Sequence, residues 1–408
     1  MTQDSAPRDP TVRNVFLLAL CQALGMSCGA LVISVTALVG SALAENKALA
    51  TLPLALQMAS VMVTTVPASL LMGRIGRRAG FSLGAVFGIA GGALSAWAIF
   101  AGSFALFCLA SLLVGAFVAH IHYYRFAAAD TASEDFRSRA ISLVLAGGLV
   151  AAFLGPELAK WSRDLLPEAF YAGAYFCVAA LAGLSLVVLQ LIEIPRPRRD
   201  QRGRSGRPLW QIAGQPTFLV AALCGMVAYG SMNLVMTVTP LAVVAASHSF
   251  STATLVIQLH IVGMYAPSFF TGHLIHRFGV LPILGLGAIF MLGAVVVSLS
   301  GLGVTQFWIA LVFLGLGWNF LYVGGSALLT ETYRPEERAK AQGFNEFLIF
   351  GTVTVTALSS GALFHVFGWA AVNLGIVAPL LVVLAALLWL ARRRGAATVG
   401  RSALDRPR

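Results

Sequence analysis

A basic turn of the chain reads Gly73-Arg74-Ile75-Gly76-Arg77-Arg78, and about 200 residues later a related turn reads Gly272-His273-Leu274-Ile275-His276-Arg277-Phe278-Gly279. A proline precedes each turn, Pro67 in the first case and Pro267 in the second, and each turn separates two long apolar runs. A third basic stretch, Arg137-Ser138-Arg139-Ala140, is echoed by Arg338-Ala339-Lys340-Ala341 at a similar distance. The chain is therefore predicted to consist of two related halves.

The composition predicts a membrane protein. Of the 408 residues, 58% are hydrophobic and only 11% are charged, with a mean hydropathy of +0.85, whereas about 25% of residues are charged in soluble domains. The apolar runs are continuous over about 20 residues, which is the length of a membrane-spanning helix. Strands of a membrane barrel would alternate apolar and polar residues instead.

Twelve transmembrane helices are predicted, in two pseudo-symmetric bundles of six. We refer to them as segments 1 to 12, and they cover roughly residues 14–38, 52–72, 81–101, 104–126, 140–159, 169–193, 215–238, 253–274, 280–300, 306–329, 342–364 and 369–391. The predicted domains are a cytoplasmic tail 1–13, a first bundle 14–193, a basic linker 194–214, a second bundle 215–392 and a basic tail 393–408.

The basic residues predict the orientation in the membrane. With twelve segments, 24 of the 27 Lys and Arg residues fall on the side that carries both termini, and only Lys47, Lys160 and Arg163 fall on the other. Cytoplasmic connections are enriched in Lys and Arg, so both termini are expected in the cytoplasm of a multi-pass inner-membrane protein. The net charge of +11 follows this topology, and no nucleic-acid partner is expected. The Arg-rich linker is interpreted as a solvated connection that could also contact anionic lipid headgroups.

The two turns resemble the signature loop of the major facilitator superfamily (MFS), which reads Gly-x-x-x-Asp-Arg-x-Gly-Arg-Arg. In the first turn Arg74, Gly76, Arg77 and Arg78 match the signature, and Gly73 replaces the family's acid. In the second turn Gly272, Arg277 and Gly279 match, and His276 replaces the acid. In the family this loop fixes the two halves in one conformation. Since both copies lack the carboxylate, we expect the latch to be weaker or built differently. The nearest acids are Asp130 and Asp135.

Gly155 and Pro156 in segment 5 resemble the kink of the family's antiporter motif, although the family's other glycines there are replaced. Two interpretations stay open: a kink that allows close helix packing, or a mark of export.

The resemblance implies a substrate site lined mostly by segments 1, 4, 7 and 10. Polar side chains on these segments are energetically unfavourable in lipid and are therefore candidates for that lining, together with aromatic and methionine side chains near them. The predicted substrate-binding residues are Gln22, Met26, Tyr229, Asn233, Met236, Trp318, Asn319 and Tyr322. The set carries no fixed charge, and Arg125 is expected to reach the membrane surface by snorkelling. The predicted cargo is a small neutral, zwitterionic or amphipathic organic solute, and a flat one could stack on Trp318 or Tyr229.

Proton coupling requires a group that titrates inside the membrane. Glu346 is a candidate, with a role near the N-terminus of a helix as the alternative. The other candidates are the histidines His120, His122 and His260, since histidine titrates near neutral pH, and packing is the alternative for each.

The sequence therefore predicts a monomeric secondary active transporter of the rocker-switch type, and the resemblance to the family implies proton coupling. Export is slightly favoured over the uptake of a vitamin-like or nutrient molecule. A membrane sensor or assembly protein on the same fold is the second hypothesis. No cofactor and no metal site are expected, and no catalytic motif indicates an enzyme.

Overall fold

The computed structural model describes residues 11–46, 49–163, 165–194 and 206–404, with the side chains of residues 250, 251, 254 and 395–404 left aside. Residues 195–205 of the predicted linker, residues 1–10 and residues 405–408 lie outside the described residues. Within the described part, every regular element is an α-helix.

Sixteen helices, α1 to α16, follow one another in these described ranges. Their bounds are Thr11–Leu43, Leu52–Ile75, Arg77–Phe100, Phe104–Ile121, Tyr124–Thr131, Glu134–Ala146, Gly148–Ser162, Ala172–Leu189, Leu209–Ala213, Pro216–Ala245, Phe250–Tyr265, Ser268–Phe278, Val280–Leu299, Val304–Thr330, Arg338–Leu374 and Val377–Leu404. Eleven stretches of these helices are long and apolar enough to cross a membrane.

Three predicted segments are each built from two helices. Segment 4 is α4 and α5, segment 5 is α6 and α7, and segment 8 is α11 and α12. The break in segment 8 falls at Ala266-Pro267, where proline lacks the N–H that an uninterrupted helix needs. Segment 5 begins earlier than predicted, at Glu134, and segment 11 begins at Arg338.

The last apolar stretch, Arg338–Arg394, spans 57 residues. A straight helix of that length would measure about 86 Å, whereas the hydrocarbon core is about 30 Å thick. The stretch is interrupted at Gly368, which has a φ of 77° and a non-helical backbone. The break between segments 11 and 12 is thus a single glycine, where the sequence predicted a short loop.

The chain forms two compact units. The first contains Met1–Ser205 and Arg338–Phe347, and the second contains Gly206–Glu337 and Leu348–Arg408. Residues 338–347 therefore cluster with the first unit, although the sequence placed them in the second bundle.

The same order of helix neighbours occurs in both units. In the first, α3 packs on α4 and α8, α2 packs on α4, and α1 packs on α8. In the second, α13 packs on α14 and α16, α11 packs on α14, and α10 packs on α16. The two basic turns also share one backbone conformation, because Gly76 has φ 93° and ψ 158° and Gly279 has φ 85° and ψ 161°.

Candidate functional site

Three predicted binding residues form an aromatic cluster in the second unit. Tyr229 of α10 meets Trp318 and Tyr322 of α14 edge to face, with ring centroids 5.5 and 5.3 Å apart. Trp318 stacks on Tyr322 at 4.8 Å, with an angle of 25° between the rings. Both α14 rings are fully buried, whereas Tyr229 is half-buried. The cluster therefore offers one partly open aromatic ring backed by two enclosed ones.

The structure adds two aromatic residues that the sequence analysis missed. Tyr265 of α11 meets Trp318 edge to face at 5.6 Å, and Phe350 of α15 lies 5.5 Å from Tyr229. Both lie on segments 8 and 11, outside the four segments from which candidates were drawn. The position of Tyr265 two residues before Pro267 could have drawn attention to it, because a helix break re-aims the side chains beside it. No comparable signal marks Phe350.

Asn233 and Met236 lie on the same half-buried face of α10 as Tyr229. The Nδ2 atom of Asn233 donates to the carbonyl of Val353 at 3.3 Å and to the hydroxyl of Thr356 at 3.2 Å. These hydrogen bonds to α15 fix the orientation of the Asn233 amide, and the side chain is half-buried. The face thus carries an aromatic ring, an oriented amide and a thioether, which suit a neutral ligand with a flat apolar part and polar groups.

Asn319 serves a different role in this arrangement. It is fully buried, and its Nδ2 donates to the carbonyl of Met264 and the hydroxyl of Ser268, both at 2.6 Å. Its Oδ1 accepts from the hydroxyl of Thr271 at 2.6 Å. The amide therefore bridges α11 and α12 across the proline break, and we interpret Asn319 as a support for that break.

Gln22 and Met26 belong to the first unit, where Gln22 is buried and Met26 is half-buried. Gly25, between them, allows close packing, since a Cβ there would lie 2.5 Å from Ile121. At Gly29, one turn after Met26, a Cβ would meet no atom within 4 Å. This face of α1 therefore borders open space beside Met26.

A buried ion pair joins α5 to the first turns of α15 within the first unit. The Arg125 guanidinium lies 2.7 Å from Glu346 Oε1, and the two side chains are 1% and 0% exposed. Asn345 Nδ2 donates to the same oxygen at 2.9 Å. The other carboxylate oxygen, Oε2, is buried and has no hydrogen-bond partner among the described residues.

This pair corrects two expectations. Arg125 does not snorkel to the surface, because α4 ends at Ile121 and a new helix carries Arg125 into the protein. Glu346 is not a helix cap, because α15 begins at Arg338, about 12 Å earlier along the helix, and the helix dipole acts within the first turn. The positive charge of Arg125 is balanced by Glu346, so the expectation of an uncharged cargo is unaffected.

The three candidate histidines are buried. His120 Nδ1 bonds to the carbonyl of Ala116 at 2.8 Å, and a Cβ on Gly84 would lie 2.5 Å from the His120 side chain. His260 Nδ1 bonds to the carbonyl of Leu311 at 2.7 Å. His120 and His260 thus pack between helices, and the carbonyl of His122 accepts a hydrogen bond from Arg125. Among the described residues, no group of side chains that could hold a metal ion is found.

Known proteins with similar sequences fall into one family. The family model described as Major Facilitator Superfamily matches residues 15–242 and 221–406. The riboflavin transporter RfnT of Brucella anthropi is 42% identical over 399 residues, covering 97% of this chain and 99% of RfnT. The MFS-type transporter YddS of Bacillus subtilis, described as uncharacterized, is 30% identical over 320 residues, or 73% of each chain. This chain belongs to the major facilitator superfamily.

Solved structures agree on the fold of this MFS transporter. The transporter FucP, in its outward conformation, superposes with a TM-score of 0.77 at 16% identity, covering 93% of this chain and 99% of FucP. The human organic anion transporter MFSD10 superposes with a TM-score of 0.76 at 14% identity, covering 94% and 100%. At these identities the likeness shows the fold alone. The family match confirms the resemblance inferred from the two basic turns.

At the first MFS loop, an acid from another helix pairs with two basic side chains. Asp130 of α5 lies 2.8 Å from Arg77 and 3.1 Å from Arg338, and the Arg77 and Asp130 side chains are nearly buried. Arg77 also donates to Gln342. Of the two nearby acids weighed in the sequence, Asp130 thus connects α3 with the start of α15. Arg74 is exposed, and a Cβ on Gly73 would lie 3.0 Å from Ala339.

The second loop of the transporter has the same turn but a different surface. His276 and Arg277 are exposed, and the Arg277 guanidinium lies 5.3 Å from the centre of the Phe278 ring. Gly272 is buried within α12. After Gly279 the chain continues with apolar residues, whereas the first loop has Arg77 and Arg78 at the corresponding positions. An apolar groove of about 490 Å³ lies between α12 and α13 beside this turn.

Gly155 packs closely against α1. A Cβ on Gly155 would lie 2.6 Å from the Cβ of Ala30 and 3.1 Å from the carbonyl of Ser27. Pro156 lies inside α7, and the helix break of this segment is at Gly147, between α6 and α7. Helix packing accounts for Gly155, so Gly155-Pro156 gives no separate reason to expect export.

Proposed function

We propose that this MFS transporter carries riboflavin, or a closely related flat vitamin, into the cell by alternating access. The main support is the 42% identity to the riboflavin transporter RfnT over nearly the full length of both chains. Riboflavin is uncharged at neutral pH and combines a flat three-ring system with a hydroxylated chain. The half-buried face of α10, with Tyr229 and Asn233, offers an aromatic ring for stacking and an oriented amide for hydroxyl groups.

Uptake of riboflavin by a bacterial strain that cannot synthesise it, and that lacks its own transporter, tests the proposal. Expression of this chain should restore growth on low external riboflavin and accumulate labelled riboflavin, whereas an empty vector should not. A Tyr229→Ala variant should raise the KM for uptake about tenfold, since base-like rings stack on aromatic side chains with about 1–3 kcal/mol each. Binding of riboflavin without accumulation would favour a sensor on the same fold and would contradict the proposal.

Uptake, as the direction, rests on the nature of the cargo and on the packing of Gly155. A vitamin that a cell cannot make has to be imported, and Gly155 is explained by its contact with α1. Cells preloaded with labelled riboflavin give the deciding measurement. Faster loss of label from cells that express the chain, without any accumulation in the uptake assay, would reverse the proposed direction.

Proton coupling is proposed to act through Glu346. Its Oε1 is held by Arg125 and Asn345, and its Oε2 is buried without a hydrogen-bond partner among the described residues. A proton on Oε2 would neutralise the carboxylate and weaken its attraction to Arg125, which alters the contact between α5 and α15. Protonation could in this way bias the conformation of the transporter, as alternating access with coupling requires.

Removal of this carboxylate should uncouple uptake from the proton gradient. Glu346→Gln alone leaves the buried Arg125 charge without its carboxylate, and breaking a buried ion pair in this way destabilises a protein by about 3–5 kcal/mol. The double variant Arg125→Gln, Glu346→Gln keeps the site neutral and is the informative one. We expect it to bind riboflavin but to lose the stimulation of uptake by an inward proton gradient. Stimulation equal to that of the wild type in a folded double variant would rule out this coupling site.

A further inference from the structure

Trp318 carries a buried hydrogen-bond donor without a partner. The side chain is 1% exposed, and its Nε1 has no hydrogen-bond acceptor among the described residues. Indole N–H groups usually find an acceptor when they are buried, and a buried donor that lacks one is destabilising. A phenylalanine would fill much of the same space without this penalty. An acceptor supplied by a bound ligand would remove this cost.

The surroundings of Trp318 are aromatic on several sides and are continuous with a half-open face. Tyr322 stacks on its ring, and Tyr229 and Tyr265 meet it edge to face. Of these rings, Tyr229 is the half-buried one, on the face of α10 that also carries Asn233. Tyr229 is thus the ring that connects Trp318 with this face. Rotation of the Tyr229 side chain on ligand binding, a common kind of change at binding sites, would open the indole N–H to a ligand on the face.

We propose that the indole N–H of Trp318 donates a hydrogen bond to a ring carbonyl of the bound substrate, and that it makes the transporter select flat ring systems with a carbonyl edge. The inference rests on the proposed function, because it assigns the recognition of the flavin ring to one atom. Riboflavin has two carbonyl oxygens on one edge of its ring system. Indole N–H donates and cannot accept, so it distinguishes a carbonyl edge from an edge that presents N–H or C–H groups.

The chain provides a matched control for the loss of this donor. Trp369 is 8% exposed, and its Nε1 is likewise buried without an acceptor among the described residues. Its ring lies 5.4 Å from Phe307, and within the described part of the chain it makes no ring contact with the three tyrosines around Trp318. Trp369→Phe and Trp318→Phe therefore remove the same atoms from similarly buried positions, and only the second lies in the aromatic cluster.

Binding of riboflavin to the detergent-solubilised transporter, followed by the quenching of flavin fluorescence, measures the effect. We expect Trp318→Phe to weaken binding about tenfold, as the loss of one hydrogen bond does, and Trp369→Phe to bind like the wild type. Equal effects of the two variants, or no effect of Trp318→Phe, would overturn the inference. A lower melting temperature of ligand-free Trp318→Phe with unchanged binding would also overturn it, because the N–H would then act within the protein.

Thio-analogues of riboflavin test the same bond without relying on the variants. In 2-thioriboflavin and 4-thioriboflavin, one ring carbonyl oxygen is replaced by sulfur, which is a weaker acceptor. The wild type should bind one of the two less tightly than riboflavin, and Trp318→Phe should lose this preference. Equal binding of all three flavins by the wild type contradicts the inference while leaving the proposed function intact. Failure of the wild type to bind or accumulate riboflavin contradicts the proposed function itself.

Discussion

At the scale of single residues, Glu337 is a buried acid whose carboxylate is held by several hydrogen bonds. It is 0% exposed and receives hydrogen bonds from the Arg207 backbone and side chain, at 2.6 to 2.8 Å, and from the Arg334 backbone at 3.0 Å. Gly206, beside it, has a φ of 54°, and a Cβ there would lie 2.5 Å from Glu337. The carboxylate thus ties the end of the linker to the connection between α14 and α15.

Stability should depend on the ionisation of Glu337 in acid. The side-chain hydrogen bond from Arg207 lowers the pKa of Glu337 from 4.5 to about 2. Because the pKa is lower in the folded protein, the stabilisation is complete above pH 4.5 and is lost as the pH falls toward 2. A shift of this size corresponds to at most about 3 kcal/mol. Glu337→Gln should therefore lower the melting temperature at pH 7.

The difference in melting temperature between the wild type and Glu337→Gln should shrink as the pH falls from 4.5 to 3. Thermal unfolding of the purified protein in detergent, followed by tryptophan fluorescence, measures it. Glu336→Gln is the control, because the neighbouring Glu336 is exposed and should change the melting temperature little. A constant difference at every pH would mean that the charge of Glu337 does not contribute.

At the scale of elements, the two basic turns depend on glycine. The backbone of Gly76 and Gly279 lies near φ 90° and ψ 160°, a region essentially restricted to glycine, where another residue is strained by about 1–3 kcal/mol. Gly76→Ala and Gly279→Ala should each destabilise the transporter by about this amount. Gly183→Ala in α8 and Gly285→Ala in α13 are matched controls, since a Cβ at either position meets no atom within 4 Å.

The control substitutions should be neutral or stabilising by up to about 1 kcal/mol, because alanine favours a helix more than glycine does. Melting temperatures of the four purified variants measure these effects. If the turn variants and the helix variants shifted the melting temperature equally, the strained backbone at the turns would not be the cause.

The elements themselves were largely predictable, because a continuous apolar run of about 20 residues has few alternatives to a membrane helix. Their breaks and partners were not. The break between α4 and α5 at His122-Tyr123 has neither proline nor glycine to announce it. The Arg125–Glu346 pair joins residues 221 positions apart, and no local pattern specifies such a contact. For the same reason Tyr265 and Phe350 were missed beside Tyr229 and Trp318. The last two lie on α10 and α14, which the resemblance to the family had singled out.

At the scale of the whole molecule, the number of crossings determines the orientation. We propose twelve crossings with both termini in the cytoplasm, which requires the stretch Arg338–Arg394 to cross twice. Its 57 residues and the non-helical backbone at Gly368 are compatible with two crossings. The Lys and Arg residues of both tails favour the cytoplasmic side for both termini, which corresponds to an even total. A single tilted crossing of this stretch would give eleven and would place the C-terminus outside.

Labelling of single cysteines with a membrane-impermeant maleimide distinguishes the two topologies. The exposed residues Glu336, Phe367 and Ala391 lie before, within and after the turn at Gly368. With two crossings, Phe367→Cys should react in intact cells, whereas Glu336→Cys and Ala391→Cys should react only after lysis. The unsubstituted chain is the control, because its cysteines are buried or half-buried. Reaction of Ala391→Cys in intact cells would place the C-terminus outside, and the Lys and Arg count would then no longer predict the orientation of this transporter.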